Sequence, residues 1–128
     1  MVNVLLLSHS KKLAQGLKEV ISQMAADVNI ETSGGTDTGD IGSNFDEIKE
    51  KIDRLSKTQD GVVVLFDAGS SMLNAQMAID MLDDSSKVIL ADTAMVEGAL
   101  QIAVMAQSGQ TLDDMRNFID DNRIHKLS

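Results

Sequence analysis

Cysteine is absent from the 128 residues, which rules out disulfides, zinc–thiolate centres and thiol nucleophiles and suits a reducing cytoplasm. Tryptophan and tyrosine are absent as well, and only three phenylalanines remain, so there is almost no platform on which nucleic-acid bases stack. Positive charge is scarce. With 11 Lys and Arg against 20 Asp and Glu the net charge is −9, which repels a phosphate backbone, and no nucleic-acid partner is expected. Long apolar runs are missing too: the opening run Val2–Leu7 is short and has no basic flank, so neither a membrane span nor a signal-peptide core is expected. Beyond solubility, the acidity favours a surface complementary to a basic protein partner.

What is present reads as one α/β domain. A chain of this length buries enough surface for a core of its own. Short runs at Val2–Leu7, Val62–Phe66 and Val88–Ala91, with a weaker one at Val28–Ile30, are rich in Val, Ile and Leu, the signature of parallel strands covered on both faces. Between them lie segments of helical period. Leu13, Leu17, Val20, Ile21 and Met24 form one stripe; Phe45, Ile48, Ile52 and Leu55 a second; Met72, Ala75, Met77, Ala78 and Met81 a third. Val96–Met105 is apolar nearly all round and is expected to be buried, Ile102–Ala106 packing either on its own sheet or against a partner. Thr111 is an N-cap for a last short helix with Asp113 and Asp114 in its first turn. The order βαβαβαβαα predicts a doubly wound parallel sheet of about four strands between helical layers, a three-layer sandwich.

In such sheets ligands bind beyond the carboxyl ends of the strands, where the strand order reverses. There the sequence places His9 after the first strand, the segment Thr32–Ser43 with four glycines in twelve residues after the second, Asp67 after the third and Asp92–Thr93 after the fourth. With strand order 2-1-3-4, His9 and Asp67 face each other across the reversal. A carboxylate accepting Nδ1–H fixes the imidazole tautomer and leaves the Nε2 lone pair free as base, nucleophile or ligand. Lys11, Lys12 and the amides opening the first helix make an anion site beside it, and the Gly-rich loop offers further N–H donors. Together these point to a phosphoryl group on His9.

Other phosphate chemistries fit less well. No Lys follows the glycines, so the pattern of a nucleotide-binding P-loop is not met. A histidine phosphatase needs an arginine beside its nucleophile, where Ser8 and Ser10 stand. A receiver domain phosphorylated on Asp67 shares the Asp after the third strand and the Thr after the fourth, but needs an acidic pair after the first strand to hold Mg²⁺, and those positions read Ser8–His9. No metal site is expected.

Four stretches, "VNVLLLSHSKKLAQG", "SGGTDTGDIGS", "GVVVLFDAGSSMLNAQMAID" and "MVEGALQIAVMAQSG", resemble the mannose-type enzyme IIA family of the phosphoenolpyruvate-dependent phosphotransferase system, and within it the branch serving dihydroxyacetone kinases that use phosphoenolpyruvate rather than ATP. The branch pattern departs at Ala94–Met95, where a proline is expected, and at Ser43, where a threonine is. The resemblance implies that residues 1–128 form one mannose-type IIA-like phosphotransfer domain of cytoplasmic, homodimeric habit. It implies that His9 is phosphorylated and Asp67 orients it, and that Ser10, Gly35, Thr36, Gly69 and Ser70 shape the binding pocket. It further implies HPr as phosphoryl donor and, as acceptor, ADP held by the nucleotide-binding subunit of the kinase; the chain itself would carry no cofactor beyond a transient phosphohistidine. A mannose-type sugar transporter component is the alternative within the family. The resemblance together with the length of the chain leads to the expectation that no HPr-like or enzyme I-like domain follows the last helix and that the donors are separate chains. Met72 is expected at the site's rim and the other internal methionines, Met77, Met81 and Met105 among them, in the core. His125 is expected to be dispensable in a polar tail.

Overall fold

The computed structural model describes residues 1–124; His125 lies outside the described residues. The chain runs β1 (Asn3–Ser8), α1 (Lys11–Ser22), β2 (Ile30–Gly34), α2 (Phe45–Ser56), β3 (Val62–Phe66), α3 (Gly69–Asp80), β4 (Val88–Leu90), α4 (Met95–Gln107) and α5 (Leu112–Asp121). The strands form a four-stranded sheet of order β2-β1-β3-β4, parallel at every pairing. Period-two alternation sorts the side chains of the strands. Val4, Leu6, Val63, Leu65 and Ile89 meet α1, α4 and α5 on one face, while Leu5, Leu7, Val62, Val64 and Phe66 meet α2 and α3 on the other. Each fully buried Leu of β1 contributes about 1.5–3 kcal/mol of transfer free energy, and Leu5, Leu6 and Leu7 are all wholly buried. The three-layer α/β sandwich is therefore as the sequence predicts.

Several local expectations are corrected. β2 begins at Ile30, and Thr32, Ser33 and Gly34, expected in the loop, belong to the strand, paired with Leu6, Leu7 and Ser8 of β1. An edge strand is held through its backbone by one neighbour and so needs less apolar sequence than a central one. Its outer side is guarded by charged side chains: Lys51 Nζ donates to the Thr32 carbonyl at 2.5 Å, and Arg54 forks onto Glu31 at 3.1 and 2.5 Å.

On α1 the buried positions are Ala14, Leu17 and Ile21, while Leu13 and Val20 face outward and Met24, in the turn after the helix, is exposed as well. α3 lies on the sheet through small residues, Ser71, Ala75 and Ala78, which leaves Met77 and Met81 exposed instead of in the core. Met105 is buried as expected, whereas Val96 at the start of α4 is exposed. Ile102, Ala103, Met105 and Ala106 belong to the core cluster of their own sheet. Thr111 caps α5 with a complete capping box: its Oγ1 accepts from Asp114 N at 3.3 Å, and Asp114 Oδ2 accepts from Thr111 N at 3.0 Å.

Candidate active site

The ladder that pairs Leu7 of β1 with Phe66 of β3 brings the next residues out of the sheet side by side, with Asp67 N donating to the Leu7 carbonyl at 3.2 Å. One carboxylate oxygen of Asp67, Oδ2, accepts from Ser8 Oγ at 2.8 Å and from the backbone N–H of His9 at 3.0 Å. The other, Oδ1, stands 3.1 Å from His9 Nδ1. Ser71 Oγ, on the first turn of α3, lies 3.4 Å from both Oδ1 and Nδ1. Burial pushes the Asp67 carboxyl up, but the His9 N–H, the Ser8 hydroxyl and the His9 ring together outweigh it and hold the group below its ordinary range. An ionised carboxylate only accepts. Nδ1 therefore carries the proton, and the lone pair of a neutral ring is on Nε2.

Nε2 meets the hydroxyl of Ser70. Gly69 and Ser70 open α3, whose N-cap Ala68 supplies no capping side chain, so the partial positive charge of that helix end is left facing the imidazole edge. Ser10 lies directly after His9, where its side chain caps α1, accepting from Leu13 N at 3.2 Å, and its own N–H donates to Ser8 Oγ at 3.0 Å.

In the Gly-rich loop Thr36 N donates to the Asp40 carbonyl at 2.8 Å, Gly39 N to the Thr36 carbonyl at 3.0 Å and Gly42 N to the His9 carbonyl at 2.9 Å, so these three N–H groups are engaged within the protein. Gly34 is the point of closest approach, where an added Cβ would stand 2.7 Å from Ser10 O and 2.9 Å from Lys11 Cα. Gly35, at φ +76°, turns the chain away from β2. Thr36 lines a cleft of about 300 Å³ together with Lys11, Gly34 and Lys51. The loop is then fastened at its far end, where Asn74 Nδ2 donates to Ser43 Oγ at 2.7 Å.

The structure thus brings together His9, Asp67 and Ser70, and adds Ser8 and Ser71, which the sequence reading passed over. The available signal was positional: Ser8 is the last residue of a strand whose other positions are mostly apolar, and Ser71 falls one helical turn after Asp67. Thr93 is buried, with Gly98 so close that a Cβ there would stand 2.4 Å from its Oγ1. With Asp67 engaged at both oxygens as well, the arrangement does not fit a receiver phosphorylated on Asp67. Among the described residues no group of three or more His, Cys, Asp or Glu is placed to hold a metal ion, and no helix is long and apolar enough to cross a membrane.

Fold and site together define a doubly wound α/β protein whose strand-order reversal presents a carboxylate-oriented histidine with Nε2 facing a helix N-terminus. Residues 3–116 match the family model for the PTS system fructose IIA component, mannose-type, and the chain belongs to that family. It is 36% identical over 109 residues to phosphoryl donor subunit DhaM of PEP-dependent dihydroxyacetone kinase 2 from Listeria innocua, covering 83% of this chain and 86% of the relative. It is 26% identical to phosphotransferase subunit DhaM of the PTS-dependent dihydroxyacetone kinase of Lactococcus lactis, covering 96% and 97%. A Providencia stuartii donor subunit is 35% identical over 91% of this chain, which spans only 26% of that relative's length. A crystal structure of a protein of unknown function superposes with a TM-score of 0.82 at 30% identity, covering 97% of both chains.

Proposed function

We propose that residues 1–128 act as one cytoplasmic phosphotransfer domain that accepts a phosphoryl group from HPr onto Nε2 of His9 and passes it to ADP held by the nucleotide-binding subunit of a phosphoenolpyruvate-dependent dihydroxyacetone kinase. The observation that carries the reading is the 3.1 Å approach of His9 Nδ1 to Asp67 Oδ1, which leaves the Nε2 lone pair directed at Ser70. The names of the Listeria and Lactococcus relatives favour the kinase over a sugar transporter.

Phosphoryl transfer depends on in-line placement and on stabilising charge more than on covalent help. The Nε2 lone pair forms the new N–P bond as the P–N bond to the donor's imidazole breaks, the electron pair returning to the donor nitrogen. The Nδ1 proton stays on His9, facing Asp67 Oδ1, so the positive charge that develops on the substituted ring lies against an ionised carboxylate. Ser70 Oγ and the uncapped first turn of α3 supply donors to the phosphoryl oxygens. Discharge runs the same way in reverse, with a β-phosphate oxygen of ADP as nucleophile and the neutral His9 ring as leaving group.

Incubation with phosphoenolpyruvate, enzyme I and HPr tests the first half. The expected product carries phosphate that is lost in acid and kept in alkali, as phosphohistidine is, and His9→Ala, folded by circular dichroism, takes up none. An alkali-labile phosphate, or labelling retained in His9→Ala, overturns the assignment.

A further inference from the structure

The helix that presents Ser70 to His9 has an outward face of unusual composition. From Gly69 to Ile79 it carries no charged side chain, and Leu73, Met77 and Met81 are 54%, 55% and 58% exposed. Their spacing of four residues puts them in one line along α3, and Ser70, three residues before Leu73, heads that line. The strip therefore starts at the atom that touches Nε2. It ends at exposed acids: Asp80, Asp83 and Asp84 lie beside Met81.

We propose that this face of α3, from Ser70 through Leu73 and Met77 to Met81, is the docking strip for the protein that delivers the phosphoryl group to His9, a partner presenting apolar side chains along the strip and Lys or Arg at its acidic end. The proposal rests on the reading of His9 as the phosphoryl acceptor. A donor laid along the strip covers Nε2 in the same movement, which excludes water from the transfer. Methionine suits a surface that must bind and release, since its unbranched side chain adapts to different neighbours. A second copy of this chain is a poorer occupant, because it would seal Ser70 and Nε2 beneath a lasting interface. The acidic end also steers a basic partner in a way that salt screens.

The test compares wild type with Leu73→Ser/Met77→Ser, and separately with Asp83→Lys. All these positions are exposed, and folding is checked by circular dichroism and thermal melting. Initial rates of His9 phosphorylation are measured against HPr concentration, and labelling by the small donor phosphoramidate is measured in parallel. Removing two apolar side chains from the strip is expected to raise the KM for HPr about tenfold or more, with the saturating rate and phosphoramidate labelling unchanged. Asp83→Lys is expected to raise KM at low salt and to match wild type at high salt.

An unchanged KM overturns the proposal. So does a defect confined to discharge, which would give the strip to the acceptor, or a fall in sedimentation mass of the double variant, which would give it to a second copy. Wild type labelled by phosphoramidate but not by HPr would remove the donor and the strip together, whereas wild type labelled by neither would remove the His9 reading itself.

Discussion

Ser8 Oγ donates to Asp67 Oδ2 across 2.8 Å and accepts from Ser10 N at 3.0 Å, so one buried hydroxyl joins the orienting carboxylate to the backbone that opens α1. With Oδ2 taken by Ser8 and by the His9 N–H, the carboxylate has one rotational setting, and Oδ1 is left for the ring. Ser8→Ala is expected to cost about 1.5–3 kcal/mol of stability, the range for hydrogen bonds to a charged group, read as a lower denaturant midpoint with an unchanged m-value. Phosphorylation of His9 should slow and still occur. A variant as stable and as fast as wild type would assign Ser8 no part in holding Asp67.

Asp67→Asn keeps a carbonyl oxygen able to accept from Nδ1–H but loses the negative charge. Transfer to His9 is expected to fall strongly, with about 10⁴-fold as the limit set by loss of an orienting carboxylate in the serine-protease triad. Single-turnover labelling measures it, and wild-type rates would show that the ring does not need the charge.

The depressed Asp67 pKa makes a stability prediction of definite sign. The folded protein holds the carboxylate ionised at pH values where the unfolded chain has begun to take up the proton, so the contribution is complete above the unfolded value of about 3.9. It is lost as pH falls through the still lower folded value. Urea unfolding of wild type and Asp67→Asn between neutral pH and pH 3 should therefore converge toward the acid end. Glu31, which the Arg54 hydrogen bond lowers in spite of its own burial, keeps part of the acid slope in both proteins. Parallel curves would mean that the Asp67 contacts do not distinguish its two protonation states.

Gly34, at the end of β2, and Gly39, in the loop after it, are expected to behave differently. An alanine at Gly34 meets backbone atoms of Ser10 and Lys11 at under 3.0 Å, so β2 and the start of α1 must separate and the His9 backbone must move with them. Both phosphorylation and discharge should fall. Gly39, at φ +89°, has nothing within 4 Å of an added Cβ; its alanine variant carries only the backbone penalty of about 1–2 kcal/mol and should keep phosphorylation by HPr. Paired activity and melting measurements on the two variants check this.

The strand ends were readable because long-range order and short-range pattern agreed there. Val2–Leu7 and Val62–Phe66 could only be central strands, and parallel pairing then forces His9 and Asp67 to one edge. β2 was misplaced because its residues Thr32, Ser33 and Gly34 owe their conformation to β1 and not to their own hydropathy. Met77 and Met81 were misread for a related reason. Helical period groups Met77 and Met81 with Ala75 and Ala78 but does not say how far that stripe turns toward the sheet, which takes only the small side chains Ser71, Ala75 and Ala78 and leaves the two methionines outside. Ser8 and Ser71 escaped notice because a hydroxyl has no chemistry of its own until a carboxylate is placed beside it.

The N–H of Asp67 bonded to the carbonyl of Leu7 means that the site is a by-product of sheet alignment. A slip of one residue between β1 and β3 would carry the carboxylate about 3.3 Å along the strand and turn it to the opposite face. No separate event has to assemble the pair once the two central strands have found each other. Chemical competence and the slowest-exchanging amides should accordingly disappear at the same denaturant concentration, so that a damaged molecule fails outright instead of lingering as a folded protein with a misaligned histidine.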